Sequence, residues 1–185
     1  SAEDGLILLC LYRKERKRMK ENKTMKIAFL GMFVTLALIA SYVESLVPFY
    51  FRAPGIKLGL ANLVIIIAIY RLGFKYAFAI NCIRIFTTGL LFTGAFGALY
   101  SFAGGILSII VMYLLYKTGW FSMVGISMAG GVAHNLGQLT MACVIMSNIK
   151  LMSYFAILLF AGMGSGILIG IVAYFVYGKL PHLKI

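Results

Sequence analysis

Acidic residues are nearly missing from this chain. It holds five carboxylates in 185 residues, and Glu3, Asp4, Glu15 and Glu21 all precede residue 25, so Glu44 is the lone acid in everything that follows. Without an acidic pair, no Mg²⁺ is held against a diphosphate. No GxxxxGK[ST] loop is present, so the chain does not hydrolyse a nucleotide by the P-loop route. The two histidines, His134 and His182, lie in different regions, and Cys10, Cys82 and Cys143 are far apart with no CxxC spacing, which leaves no zinc site and no disulfide to expect. Prenyl transfer or phosphatase chemistry by this chain alone is therefore not expected, and the chain reads as a non-enzyme that requires no metal or cofactor. Charged residues are scarce as well: they make up 12% of the chain against 62% hydrophobic, whereas a soluble domain carries roughly a quarter charged residues of mixed sign.

What is present is hydrocarbon, with a mean hydropathy of +0.98. The apolar runs leave room for about six helices of roughly 20 residues, the length that crosses ~30 Å of bilayer core. Spans are expected at 25–47, 57–73, 75–93, 95–116, 121–147 and 151–178, which predicts an all-α integral membrane protein, a six-helix bundle over residues 25–185. Residues 1–24 form a basic arm, with Arg13, Lys14, Arg16, Lys17, Arg18, Lys20 and Lys23 following a short apolar run that is too brief to span. The arm is expected to be interfacial or disordered at anionic headgroups, and Met19 and Met25 are each placed to serve as an initiator. The formal charge of +12 does not indicate nucleic acid, because the cations sit in clusters between apolar runs rather than along one face of a folded domain. With the arm inside, Arg71, Lys75, Lys117, Lys179 and Lys184 fall on the same side, and only Arg52, Lys57 and Lys150 fall outside. The positive-inside rule then places both termini in the cytoplasm of a bacterial inner membrane.

Polar side chains within apolar spans are costly, at least ~2.5–3.5 kcal/mol for a charge near the centre, and are candidates for function. On the third span Asn81, Arg84 and Thr88 share one helical face, with Arg84 roughly 13 Å in from Lys75. On the fifth, Gly131, His134 and Gln138 form a stripe with Asn135 beside it, and His134 lies roughly 20 Å along an outward-running helix. Glu44 near the outer end of the first span, Asn62 near the outer end of the second and Tyr100 on the fourth fall at a similar depth. Two readings of this level stand side by side. It is a structural network in which Glu44 pairs with Arg84 or a loop cation while the amides tie helices together, or it is a ligand site, since Arg84, Arg52 and Lys57 together outnumber Glu44 and a bound anion would balance them.

The connection from Val47 to Lys57 mixes aromatics, Pro48, Pro54, Arg52 and Lys57. It reads either as a lid over the site or as an interfacial aromatic belt with snorkelling cations. Small residues recur at Gly97, Ser101, Gly105 and Ser108 on the fourth span and at Gly162, Gly166 and Gly170 on the sixth, the spacing of close helix packing. A flat ligand pressed against the Tyr100, Ser101, Gly104 and Gly105 surface is the alternative use of the former.

Three runs carry a resemblance: Pro54-Gly55-Ile56-Lys57-Leu58-Gly59-Leu60-Ala61-Asn62, Tyr100-Ser101-Phe102-Ala103-Gly104-Gly105 and Gly131-Val132-Ala133-His134-Asn135-Leu136-Gly137-Gln138. From Met25 onward the chain resembles the bacterial Gx transporter family, also labelled heptaprenyl diphosphate synthase component I, and its span count is similar to that of the substrate-binding (S) components of energy-coupling-factor transporters. The resemblance implies a vitamin-uptake or binding subunit with energising transmembrane and ATPase partners, and a flavin or quinone-like ligand. The synthase label implies instead an accessory role in menaquinone or isoprenoid metabolism. S components usually present an alanine-spaced face on their first helix to the transmembrane partner. The nearest equivalents here are Gly31 with Thr35 and Ala37 with Ser41. On this basis Arg84 and His134 are expected to contact the ligand's charged group, with Asn62, Asn135 and Gln138 hydrogen-bonding it beneath the loop.

Overall fold

The computed structural model describes residues 2–46 and 59–180, with side chains from residue 24 onward. The Pro48 to Lys57 loop with Arg52 and Lys57, and the tail with His182, lie outside the described residues. Six long α-helices follow one another: α1 (Ala2–Leu46), α2 (Leu60–Leu72), α3 (Phe74–Thr88), α4 (Gly94–Thr118), α5 (Met123–Ile145) and α6 (Phe155–Lys179). A π-helical turn, Gly89–Thr93, joins α3 to α4, and a 3₁₀ segment, Ile149–Tyr154, leads into α6. The basic N-terminal segment is continuous with the first apolar helix.

Three helical runs, Thr24–Leu46, Phe74–Thr118 and Ile149–Lys179, are long and apolar enough to cross a membrane, and Leu60–Leu72 is a shorter apolar helix. The chain is a helical membrane protein. The run from Phe74 to Thr118 doubles back on itself. Asn81 Nδ2 donates to the Gly105 carbonyl at 3.1 Å, a contact impossible in a straight helix, where 24 residues cover roughly 36 Å. Gly94, at φ 68°, sits where the chain reverses, a conformation that residues with a Cβ rarely adopt.

Why these helices sit so close is written in their glycines. A Cβ on Gly131 would lie 2.5 Å from the Gly162 carbonyl oxygen, one on Gly166 2.6 Å from Met128 Cα, and one on Gly170 2.7 Å from Val124 Cα, so α5 and α6 run antiparallel with backbones in contact. Gly137 meets Ala103 and Gly104 in the same manner across the α4–α5 seam, where Ser108 Oγ also donates to the Gly130 carbonyl at 2.9 Å. The Gly162, Gly166 and Gly170 stripe is thus a packing surface, as its spacing predicts. The Gly104 and Gly105 surface is likewise covered by protein: His134 and Gln138 pack over the first, Asn81 and Ile85 over the second.

The apolar core lies at the other end of the bundle. Ile65, Ile66 and Ile69 of α2, Ile80 of α3, Ile109 and Met112 of α4 and Ile126 of α5 are fully buried there. α2 occupies the middle, touching every other helix, and this is why eight of its residues are buried. α1 lies against α2 and α3 through Phe33 and Ala37, while Gly31 and Thr35 face outward. Arg71 locks the end of α6, donating from Nη2 to the carbonyls of Tyr177 (2.7 Å) and Leu180 (2.8 Å) with its guanidinium 4.1 Å from the Tyr177 ring centroid.

Candidate functional site

The polar residues of the spans separate into two groups at the end of the bundle away from Arg71, Lys117 and Lys179. The first group is a chain of hydrogen bonds across α1, α3 and α4. Arg84 is 5% exposed. Its Nη2 donates to Asn81 Oδ1 at 2.8 Å and its Nη1 to Ser41 Oγ at 3.3 Å, and Asn81 passes the chain on to the Gly105 carbonyl. Arg84 Nε is buried with no acceptor among the described residues. Thr88 turns back on its own helix, donating to the carbonyls of Arg84 and Ile85.

Glu44 does not bond directly to Arg84. Its Oε1 accepts from the Gly59 amide at 2.6 Å, and Gly59 is the N-cap of α2, with Asn62 buried in the first turn just beyond. A carboxylate at a helix N-terminus satisfies an orphan amide and faces the positive end of the helix dipole. Glu44 therefore ties the end of α1 to the start of α2.

The second group lines a pocket of about 410 Å³ between the start of α4, the end of α5 and the start of α6, within the size range of small-molecule sites. Gly97, Tyr100, Asn135, Gln138, Leu139, Ala142, Met146, Leu151, Tyr154 and Leu158 form its wall. The floor is buried: Asn135, Gln138, Leu139 and Leu158 are each less than a tenth exposed. The rim is open, with Met146 and Tyr154 on the surface. Asn135 Nδ2 donates to the Leu158 carbonyl at 2.8 Å. Gln138 Oε1 is buried with no partner among the described residues. In a buried setting such an oxygen costs about 1–3 kcal/mol unless something bonds to it.

Of the residues singled out in the sequence, Tyr100, Asn135 and Gln138 thus come together on one cavity, and Arg84 and Asn81 on another network, with Glu44 and Asn62 at the α1–α2 junction. His134 is buried in the α4–α5 seam against Gly104 and is not part of the pocket wall. Sequence reasoning missed Ser41 as the partner of Arg84 and missed the apolar wall, Leu139, Ala142, Met146, Leu151, Tyr154 and Leu158. Nothing in an apolar run marks which of its members border a cavity. Among the described residues no three His, Cys, Asp or Glu side chains gather to hold a metal ion.

A sequence profile of heptaprenyl diphosphate synthase component I matches residues 33–176, a stretch that includes α2 to α5, the Arg84 network and the whole pocket wall. The chain belongs to this family. The comparisons with curated proteins and with solved structures gave no match. The family's description names a component of a synthase, and the match ends within α6, before the Arg71 clamp on its last carbonyls is complete.

Proposed function

We propose that this family member is a non-catalytic membrane subunit, with six spans and both termini cytoplasmic, that captures a small aromatic molecule of flavin-like character from the outer side. The α4–α5–α6 pocket carries this reading. It has apolar walls, two tyrosines and two buried amides, the composition of a site for a largely apolar ring with a few polar edges. It lies at the end of the bundle opposite Arg71, Lys117 and Lys179, and the positive-inside rule makes that end the outer one. No charged residue is among those of its wall. An anionic group on the ligand would accordingly sit at the mouth, outside this uncharged wall. Inward transfer would require energising transmembrane and ATPase subunits, since no nucleotide motif is present in the chain.

The family description favours a second reading, an accessory membrane component of prenyl diphosphate or menaquinone synthesis. Leu139, Met146, Leu151 and Leu158 would receive an isoprenoid chain as readily as a ring.

Native mass spectrometry of the detergent-purified protein, with an absorbance and fluorescence scan, separates the two. A chromophoric adduct in the wild type that is lost in Ala142→Trp, which fills the pocket from its α5 wall, is the result expected of the binding subunit. A prenyl lipid, or a co-purifying soluble synthase subunit retained by Ala142→Trp, would move the assignment to the accessory role.

A further inference from the structure

The α3–α4 hairpin carries two exposed stripes that end on lysines. On α3, Lys75, Ala79 and Phe86 share one exposed side of the helix, and on α4, Leu99, Ile110 and Lys117 do the same. The two helices are antiparallel neighbours, so Lys75 in the first turn of α3 and Lys117 in the last turn of α4 stand at one end of the bundle, away from the pocket. Aromatic rings fill the space between the stripes at that end. Phe74 lies 4.4 Å from Tyr113 and 5.7 Å from Phe78, centroid to centroid, and all three residues are half-buried. Lys117 Nζ sits 5.9 Å from the Tyr113 ring centroid.

Neither lysine has a carboxylate beside it among the described residues. From residue 24 onward Glu44 is the only acid in the chain, and it is bonded to Gly59 at the opposite end. The cations therefore stand over apolar stripes with their charge unmet. A soluble anion would answer the charge alone, and a zwitterionic lipid would cover the stripes while cancelling its own phosphate. An anionic amphiphile does both. Packed helices stand about 8–10 Å apart, so two ammonium groups on four-carbon stems, one from each helix, are within reach of a single phosphate.

We infer that the α3–α4 groove is a binding site for one anionic phospholipid, its phosphate between Lys75 and Lys117, its glycerol over the Phe74, Phe78 and Tyr113 rings, and its acyl chains along the Phe86 and Ile110 stripes. Basic recesses between membrane helices hold acidic headgroups in this way. The site does not depend on what the α4–α5–α6 pocket holds.

Native mass spectrometry of the full chain released from detergent micelles tests this, with phosphatidylglycerol or phosphatidylcholine of the same acyl chains added. The expected result is a single phosphatidylglycerol adduct, retained roughly 10-fold more than phosphatidylcholine and lost in Lys75→Gln/Lys117→Gln, since each lysine contributes separately to the attraction. Lys179→Gln removes a cation at the same end on α6, which touches neither α3 nor α4 among the described residues, and should keep the wild-type adduct. Equal retention of the two lipids overturns the charge selection. An adduct that survives the double substitution, or is lost equally in Lys179→Gln, overturns the groove as its seat. A soluble acidic chain that co-purifies with the wild type, is absent from the double variant and is not displaced by phosphatidylglycerol would assign the groove to a protein and overturn the lipid. The comparison of lipids is made on unaltered protein, so it does not depend on how the variants fold.

Discussion

Arg71 and Arg84 show how differently two arginines serve one bundle. Arg71 stands at the cation-rich end and meets two terminal carbonyls of α6 and the ring of Tyr177, so a single side chain fastens α2 to α6. Its planar fork can reach both carbonyls while stacking on the ring, which an ammonium does poorly. Arg71→Ala should lower stability by about 1.5–3 kcal/mol, the range for hydrogen bonds from a charged donor, and Arg71→Lys should recover only part of that loss. The denaturation midpoint in detergent, read for all three proteins, checks this. Arg84 is different in kind, since its bonds go to side chains on α1 and α3 and its Nε stays without an acceptor among the described residues. That Arg84 would be buried and polar-partnered was legible in the sequence from its depth in an apolar run. That its α1 partner would be Ser41 was not, because a one-residue rotation of α1 would present a different side chain. The same ambiguity hid the Glu44 bond to Gly59, which depends on how α2 begins.

Among the elements, the α5–α6 pair depends most on residues with no side chain. Backbone stands nearest at Gly131, Gly166 and Gly170, where no side chain can swing aside to admit a branched residue, and at Gly162 the Asn135 amide and the Gly131 backbone close the space together. Gly166→Val should separate the helices at a cost of about 1–3 kcal/mol, the usual range for overpacking a tight core. It should also weaken ligand retention, because Leu158 and Tyr154 would move away from Asn135. By contrast Gly164→Ala, at a position with nothing within 4 Å of a Cβ, should be silent. Thermal unfolding of both variants gives the comparison. The helices themselves were legible from the apolar runs, and Gly73, Gly94 and Gly119 mark three of the reversals. The spans expected at 75–93 and 121–147 correspond to α3 with its π-turn and to α5 within two residues at each end. The pocket was only half legible. Its polar members stood out as expensive residues in a membrane, whereas its apolar members are indistinguishable in sequence from those that face lipid. Which way Gly104 and Gly105 turn was equally hidden, and in the structure they carry protein contacts on both sides.

For the whole molecule, the proposed orientation predicts where each end of the bundle meets water. Single cysteines placed at Asn148 and at Thr118, in a background lacking Cys10, Cys82 and Cys143, report on opposite ends. A membrane-impermeant maleimide should label position 148 in intact spheroplasts and position 118 only after permeabilisation. The reverse pattern would invert the topology and place the pocket mouth inside. The α3–α4 turn adds a feature of the same end of the bundle as the pocket. Where the α5–α6 connection offers Asn148 and Lys150 to solvent, the π-turn exposes Leu90, Leu91 and Phe92, followed by Phe96 on α4. Side chains of that kind stay in hydrocarbon, so the lipid rises over this corner of the protein instead of stopping level with the other helix ends. Gly97 and Tyr100 lie immediately beyond, on the pocket wall. In the proposed orientation acyl chains border the chamber on its α4 side, and a molecule already dissolved in the outer leaflet reaches it by sideways diffusion, its effective concentration set by partitioning into the bilayer rather than by its solubility outside.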